Sequence, residues 1–374
     1  MLRGTLPEFL LGLHQRYGPL VRISPQRVSV ADADMVRQVL GSHQFLKTPS
    51  YDMPDTLEPN AFSTRVPELS VERRKQVGPG FSHRHLLQME PKIIQCGVTG
   101  LRRKIDSLLH EQEVESSGGS NSLNDDPGPV ATLQYYNVFS LITLDTIGIL
   151  GFGQQFDALA TGGHDLVRTL IRIRIFNYIS MALPWFKRLP RLLGPRLQTL
   201  IRLVVFGQNA IAGRRREIEK NGNCTTDLLQ MMLDTGRTDG DKRAPMSDPQ
   251  IVSESILHLL AGVDTTTAGL TWTMALLLHN PHIKQRLTTE IRKAFPPSSP
   301  DGTPITFENC KQRLPYLGAV IAESLRVLSP APGMLPRLAP ASGIRLGDYY
   351  LPPGTWLCCA LGATHMNPAV FESP

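Results

Sequence analysis

An acid and an alcohol lie side by side in the middle of a long apolar segment, and together they form a candidate proton relay. The segment reads Ala261-Gly262-Val263-Asp264-Thr265-Thr266-Thr267. Glycine and threonine are poor helix formers, and a threonine hydroxyl can bond back to the preceding turn, so we expect a local opening of the helix beside a bound group. Asp264 would supply protons and Thr265 would present them. An ordinary packed helix with a locally paired aspartate is the alternative, and this segment alone leaves both open.

A second candidate is the pair Glu323 and Arg326, which lie three residues apart in the segment Glu323-Ser324-Leu325-Arg326. Positions i and i+3 share one helix face, so the two side chains can form an ion pair. Apolar neighbours such as Ala319 and Val320 suggest that the pair is buried, where it would need further hydrogen-bond partners.

Arg337 is the one charged residue in an apolar stretch that runs from Pro330 to Pro340. An arginine among proline, leucine and alanine suggests a buried anionic partner. A solvated loop arginine is the alternative.

Two further stretches are basic. The run Glu72-Arg73-Arg74-Lys75 either binds an anion or is the solvated start of a helix. Residues 168–220 hold twelve Lys and Arg against two Glu, interleaved with apolar residues that include Trp185. Such a surface suits anionic lipid headgroups, although it is also compatible with a plain basic face.

The elements that must position these residues are mostly helices. Apolar residues at spacings of three and four predict helices over the following ranges: Leu133–Leu150, His164–Met181, Leu192–Glu219, Asp248–His279 and Leu314–Leu328. Three polar stretches without apolar periodicity, residues 111–129, 235–249 and 296–304, are predicted to be surface loops.

The predicted strands lie near the two ends of the chain. Leu20–Val30 alternates around a Ser-Pro turn, and Ile344–Leu357 reads as a hairpin followed by a third short strand. A minor sheet that needs both ends of the chain predicts one large, mainly α domain over residues 1–374.

Composition narrows the class of protein. The 374 residues are 41% hydrophobic and 19% charged, so the chain can build a core. Five scattered cysteines include no C-x-x-C pair, which argues against a disulfide scaffold or a zinc ribbon, and we expect no metal-ligand set. A net charge of +6 does not demand nucleic acid, and we expect none as a partner.

Ile256–Leu278 is the best candidate membrane span, but His258 and Asp264 favour a long buried helix of a protein that does not span the membrane.

In their order and spacing, these motifs resemble those of the cytochrome P450 family, haem-thiolate monooxygenases, and the chain is most similar to fungal members of the microsomal type. The resemblance covers nearly the whole chain, from Tyr17-Gly18-Pro19 onward. It implies a long central helix within a helical bundle, with a minor β-sheet, and haem b as the cofactor.

The resemblance also implies roles for residues. Ala261 to Thr266 match the family's (A/G)-G-x-(D/E)-T-(T/S) motif, in which Thr265 hydrogen-bonds dioxygen, Asp264 delivers protons, and Ala261 and Gly262 line the haem face. Glu323 and Arg326 match the structural E-x-x-R motif. Arg337 and Arg74 match arginines that bind the haem propionates, although Ser70 stands where the family has Trp or His.

The family's F-x-x-G-x-R-x-C-x-G loop, which carries the axial cysteine, is expected past Pro374, and the family's N-terminal anchor helix before Met1. None of the cysteines present lies in such a loop, so we expect the chain to be truncated at both ends. The metal ligand is therefore expected to be absent from these residues, and haem binding by the chain itself is an open question.

The implied activity is oxygen insertion into an apolar small molecule, in fungal secondary metabolism, with NADPH-cytochrome P450 reductase as the electron donor. The implied location is the cytoplasmic face of the endoplasmic reticulum membrane, or the cytoplasm without the anchor. Two alternatives remain at this point: a non-catalytic truncated remnant, and a helical protein that binds a hydrophobic ligand without haem.

Overall fold

A computed structural model describes residues 5–51, 58–117, 132–182, 190–222, 226–237, 240–296 and 305–372. Most of the first and third predicted polar loops, and Trp185 of the basic stretch, lie outside the described residues. The chain divides into two compact units, so the single domain over residues 1–374 stays a prediction. The first unit comprises Met1–Lys75, Phe176–Gly194 and Trp272–Pro374, and the second comprises Gln76–Ile175 and Pro195–Thr271.

The first unit combines helices with all the strands found among the described residues. Its helices are α1 (Leu6–Tyr17), α2 (Ala33–Gly41), most of α3 (Pro67–Val77), α12 (Pro281–Ala294), α13 (Phe307–Arg313), α14 (Pro315–Val327) and α15 (Leu361–His365). Its strands are β1 (Leu20–Ser24), β2 (Arg27–Val30), β3 (Met334–Leu338), β4 (Ile344–Leu346), β5 (Tyr349–Leu351) and β6 (Trp356–Ala360).

The larger sheet joins the two ends of the chain, as the sequence predicts. Its strand order is β1-β2-β6-β3, and β2 runs parallel to β6 with Val28 opposite Leu357 and Val30 opposite Cys359. Leu357 and Cys359 are fully buried, so this pairing also forms a small core.

The predicted sheet needs two corrections. The predicted hairpin of β4 and β5 is confirmed, but it is a separate two-stranded sheet, and β6 belongs to the larger sheet after the turn at Pro352-Pro353-Gly354. β3 was not predicted, since Pro336 lies within it. Proline is tolerated there because β3 is an edge strand, where a missing N–H donor breaks no ladder.

The second unit is helical throughout its described residues. It contains α4 (His83–Ile93), α5 (Gly100–Ser117), α6 (Tyr135–Phe152), α7 (Ala158–Thr161) and α10 (Leu228–Asp234), and most of α8 (Asp165–Ala182), α9 (Pro190–Asn221) and α11 (Asp248–His279). The predicted bounds of α11 are confirmed, and those of α6, α8, α9 and α14 agree within two residues. The basic run at residues 72–75 lies in the later turns of α3, so it is not the start of a helix.

α6 is the only described helix long and apolar enough, by length and composition, to cross a membrane. Leu144 and Phe152 of this helix are 0% and 1% exposed in the core of the second unit. A core helix of a globular protein passes the same test, so α6 is weak evidence for a membrane span.

A buried ion pair joins three elements of the second unit. Arg214 on α9 donates from Nη1 and Nη2 to the two carboxylate oxygens of Asp227, at 3.1 and 2.8 Å, and from Nη2 to the carbonyl of Phe152 at 2.9 Å. Asp227 in turn caps α10 by accepting from the N–H of Gln230. Because the remaining hydrogen-bonding groups are satisfied in this way, the two charges can be buried without an orphaned partner.

Candidate functional site

The Thr265 hydroxyl is bonded to its own helix. Its Oγ1 donates to the carbonyl oxygen of Ala261 at 2.6 Å, as the sequence predicts for a threonine in a helix interior. Both residues are exposed, whereas Asp264 is half-buried. α11 runs unbroken through the motif, so the predicted local opening of the helix is not seen.

The opposite side of this segment packs against α6. Thr267, 2% exposed, shares a hydrogen bond of 2.7 Å between its hydroxyl and that of Thr143. A Cβ added to Gly262 would lie 3.1 Å from Cδ1 of Ile147, so the missing side chain of Gly262 lets the two helices approach. The sequence-based prediction placed Ala261 and Gly262 on one open face. The structure leaves Ala261 exposed and uses Gly262 for helix packing.

α11 is buried mainly in its first half, which corrects the prediction of a helix buried along its length. Ile251, Ile256 and Leu259 are at most 2% exposed, but Trp272 and Leu278 are 43% and 50% exposed. Part of the apolar surface in the second half of the helix is therefore left uncovered by the described residues.

His258 is a candidate residue that the sequence-based reasoning missed. It lies seven residues before Thr265, on the same helical face, with its ring 5.3 Å from that of Phe81. Burial lowers its pKa to about 4, so the ring is neutral at physiological pH. Its Nδ1 has no hydrogen-bond partner within the described residues. The spacing of seven residues between His258 and Thr265 was visible in the sequence, but the burial of the His258 ring was not.

Glu323 and Arg326 form the predicted ion pair on α14. The guanidinium donates from Nε and Nη2 to the two carboxylate oxygens, at 2.8 and 2.7 Å, and from Nη1 to the carbonyl of His365 at 2.7 Å. The predicted burial holds for the arginine side chain, which is 11% exposed, but not for the glutamate, which is 61% exposed. Hydrogen bonds from Arg326 lower the pKa of Glu323. The pair ties α14 to the end of α15.

Glu290 holds the other end of α14, and the sequence-based reasoning missed it. Its carboxylate accepts from the backbone N–H groups of Tyr316 and Leu317, at 2.9 and 3.1 Å. The helix begins at Pro315, and the preceding Leu314 has no side chain that can cap it. The Glu290 carboxylate of α12 therefore caps the helix instead.

Arg337 lies on β3 and is half-buried, so the loop alternative is wrong. Its Nη1 donates to the Tyr51 hydroxyl at 2.8 Å and to the carbonyl of Pro336 at 3.0 Å. It forms no ion pair with any carboxylate among the residues that the structure describes. The predicted anionic partner is therefore not a protein side chain in this part of the chain.

The arginines on α3 differ in burial. Arg73 is 1% exposed, whereas Arg74, the residue that matches the family motif, is exposed. Ser70, one helical turn earlier, is half-buried. An exposed guanidinium can reach an anion, and the propionate role that the resemblance implies for Arg74 stays a prediction.

Comparison with known proteins decides the family. The sequence profile of the family described as "Cytochrome P450" matches residues 2–374. The chain belongs to the cytochrome P450 family.

The relatives of this cytochrome P450 include fungal monooxygenases. It is 31% identical over 363 residues to cytochrome P450 monooxygenase helB1 of Aspergillus fumigatus, a match that covers 96% of this chain and 59% of helB1. It is 29% identical over 382 residues to cytochrome P450 monooxygenase atr2 of Stereocaulon alpinum, covering all of this chain and 70% of atr2. The chain thus spans less than two thirds of the length of helB1.

A solved structure of the cytochrome P450DA haem domain shows the same fold. It superposes with a TM-score of 0.78 at 20% identity, and the match covers 99% of this chain and 75% of that one. The mainly α fold with a minor sheet, expected from the sequence, is confirmed.

The donors and surfaces of this cytochrome P450 fit the family's cofactor. Arg337 keeps Nε and Nη2 without an acceptor among the described residues, which suits a carboxylate such as a haem propionate. On α11, the small side chains of Ala261 and Thr265 leave an exposed face against which a flat ring can lie. The two features belong to different units, and each fits haem by itself.

The cysteines on β6 are buried thiols. Burial raises the pKa of Cys358 to about 11 and that of Cys359 to about 12, so both are neutral at physiological pH. That neither is a thiolate ligand stays a prediction.

The basic stretch at residues 168–220 is only partly available to an anionic surface. Arg214 is bound to Asp227, and Arg215 donates to both carboxylate oxygens of Asp248 at 2.6 and 2.8 Å. These two cations do not belong to the predicted lipid-facing set.

Proposed function

We propose that this cytochrome P450 is a haem-dependent monooxygenase that inserts oxygen into an apolar small molecule. One observation carries the proposal: the exposed Thr265 hydroxyl lies next to Asp264 on the central helix of a chain that belongs to this family. The haem, when bound, supplies the oxygen chemistry. The residues of this chain hold the cofactor and move protons.

Proton delivery is the role of the acid and alcohol pair. The Asp264 carboxyl would take a proton from solvent, and Oγ1 of Thr265 would accept it and pass it on, exchanging its hydrogen bond to Ala261 for one to a bound group. A hydroxyl both donates and accepts, which suits it to this relay. Ala261 has no bulky side chain beside the Thr265 hydroxyl, so this face of α11 stays open. Gly262 allows the close packing against α6 that holds the segment in place.

The cofactor carboxylates are held by arginines. Arg337 and Arg74 each present a guanidinium, and the planar fork of paired N–H donors matches a carboxylate in geometry and charge. Glu323 and Arg326 contribute indirectly, since their pair fixes α14 against the end of α15.

The partners and location follow from the same proposal. NADPH-cytochrome P450 reductase supplies electrons, and the endoplasmic reticulum membrane is the site of action, with cations of residues 168–220 other than Arg214 and Arg215 toward its surface. The fungal relatives support a role in secondary metabolism, where the substrate is a hydrophobic scaffold.

The test uses the protein translated from the complete transcript, produced together with a fungal NADPH-dependent reductase. We expect bound haem, a red-shifted band when the reduced protein takes up carbon monoxide, and NADPH-dependent oxygenation of apolar compounds. Protein that is folded by circular dichroism but binds no haem would overturn the proposal. Uptake of hydrophobic ligands by such protein would then favour a ligand-binding role without haem.

A further inference from the structure

Arg337 has donor groups that its surroundings do not use. A guanidinium carries five N–H donors, and the bonds to Tyr51 and to the carbonyl of Pro336 both start from Nη1. Nε and Nη2 have no acceptor among the residues that the structure describes. β3 holds the backbone of Arg337 opposite Leu357 of β6, so the position of these donors is set by the sheet.

Tyr51 contributes a further donor to the same place. It ends a short 3₁₀ turn, Pro49–Tyr51, and is 6% exposed. Its hydroxyl oxygen accepts the bond from Arg337 at 2.8 Å, which leaves the hydroxyl proton for another acceptor. No acceptor for this proton is found within the described part of the chain. A buried hydroxyl that donates to nothing is unfavourable unless a ligand supplies the acceptor.

The Tyr51 ring is shared by two cations. The Arg337 guanidinium carbon lies 5.4 Å and the Lys47 ammonium 5.7 Å from its centroid, while the Phe62 ring packs against it at 5.3 Å. The electron-rich face of an aromatic ring attracts cations, so Tyr51 can hold both close together.

Lys47 links the chain segments beside the Tyr51 ring to β3. Its ammonium donates to the carbonyl oxygens of Ala61 and Phe62, at 3.1 and 2.7 Å, and its backbone forms a bridge with Arg337 of β3. The chain on both sides of the ring is thereby tied to the strand that carries Arg337.

We propose that Tyr51 is a positioning residue for a porphyrin carboxylate: it fixes the direction of the Arg337 guanidinium and donates its own hydroxyl proton to the same carboxylate. The inference deepens the proposed function and rests on it, since the porphyrin is the cofactor proposed there. The observations that carry it are the unused donors of Tyr51 and Arg337 and the absence of a carboxylate partner for Arg337 among the described residues.

Iron-free protoporphyrin IX tests the proposal on the 374-residue chain without requiring an axial ligand. Its binding is followed by fluorescence, beside that of its dimethyl ester, in which both carboxylates are blocked. We expect the wild-type chain to bind the free acid more tightly than the ester. Tyr51→Phe, which keeps the ring and removes the hydroxyl, should weaken binding of the free acid about tenfold and leave binding of the ester unchanged.

Coupling between the two residues separates positioning from a purely structural role. Arg337→Gln should remove the preference for the free acid, and adding Tyr51→Phe to it should have little further effect, because Tyr51 acts on the same carboxylate. Arg337→Lys, which leaves Tyr51 intact, keeps the charge but loses the paired donors, so it should also lower the preference. If Tyr51→Phe does not fold, Arg337→Lys is the variant that tests the proposal.

The outcomes are distinguishable. Equal affinity of wild type and Tyr51→Phe for the free acid, or equal weakening for acid and ester, would overturn the role of Tyr51 alone. A preference for the acid that is undiminished in Arg337→Lys would do the same, since the paired donors that Tyr51 is proposed to direct would then not be used. A wild-type chain that does not bind the porphyrin, or that binds acid and ester alike, would count against cofactor binding by this chain in the proposed function and would overturn the inference with it.

Discussion

The Thr265 hydroxyl and the Ala261 carbonyl oxygen are joined by a hydrogen bond of 2.6 Å across one turn of α11. Both residues are exposed, although they lie in an otherwise apolar helix. The alcohol is therefore satisfied by its own helix, and it can exchange this bond for one to a bound group. A residue of this kind can be both stable in the free protein and active in proton transfer.

Thr265→Ala in the complete protein should separate electron uptake from product formation. Without the hydroxyl, proton delivery fails, so we expect NADPH consumption to continue while the product per NADPH falls and hydrogen peroxide rises. Thr265→Ser keeps the hydroxyl and is the matched control, which should retain most of the coupling. Unchanged coupling in Thr265→Ala would show that Thr265 only packs.

Arg326→Lys should destabilise the 374-residue chain by about 1–3 kcal/mol, because lysine cannot bond Glu323 and the carbonyl of His365 at once. Arg37→Lys is the control, since Arg37 and Asp34 form a pair of the same i,i+3 spacing with both side chains at least 80% exposed. That change should alter the unfolding free energy by less than about 0.5 kcal/mol. Urea unfolding measures both, and equal effects would contradict the structural role of Arg326.

Gly153→Ala should destabilise the chain far more than Gly162→Ala. Both glycines have left-handed backbones, with φ of +62° and +74°, so alanine costs about 1–2 kcal/mol at either position. Only at Gly153 would the new Cβ clash with Asp227 and lie 2.6 Å from Nη2 of Arg214, whereas Gly162 has nothing within 4 Å. We expect a difference of at least about 2 kcal/mol in the free energy of unfolding, since the clash strains a buried ion pair. Equal losses of stability in the two variants would mean that the buried pair of Arg214 and Asp227 moves aside without cost.

His258 should make the folded chain less stable in acid. Burial lowers its pKa from 6.5 to about 4 in the folded chain, so between these pH values only the unfolded chain binds the proton. The free energy of unfolding should therefore fall by about 1.4 kcal/mol per pH unit as the pH drops from 6.5 towards 4.

The contribution of His258 is obtained by difference. His258→Leu should show a flatter pH dependence than the wild type over this window, whereas His282→Leu, at an exposed position, should not change it. A wild-type slope in His258→Leu would show that the ring already exchanges protons in the folded chain.

Helices and motifs were predictable from the sequence because they depend on local spacing. The apolar period of α11 and the Asn-Pro step after His279 set both of its ends, and the motif from Ala261 to Thr266 indicated the family before any fold was known. The N-terminal helices α1–α5 were not individually predicted, and β3 was missed because proline in an edge strand gives no local signal.

The tertiary structure decided what the candidate residues contact. Neither the partners of Tyr51 nor the burial of His258 could be read from the chain, because Tyr51 and Arg337 are 286 residues apart and burial depends on helices packed from distant segments. The sequence by itself determined the family, the long helix and the residue types that could do the chemistry. Packing decided which of those side chains are exposed, which are buried and which keep a donor for a ligand, since these properties arise only when distant elements meet.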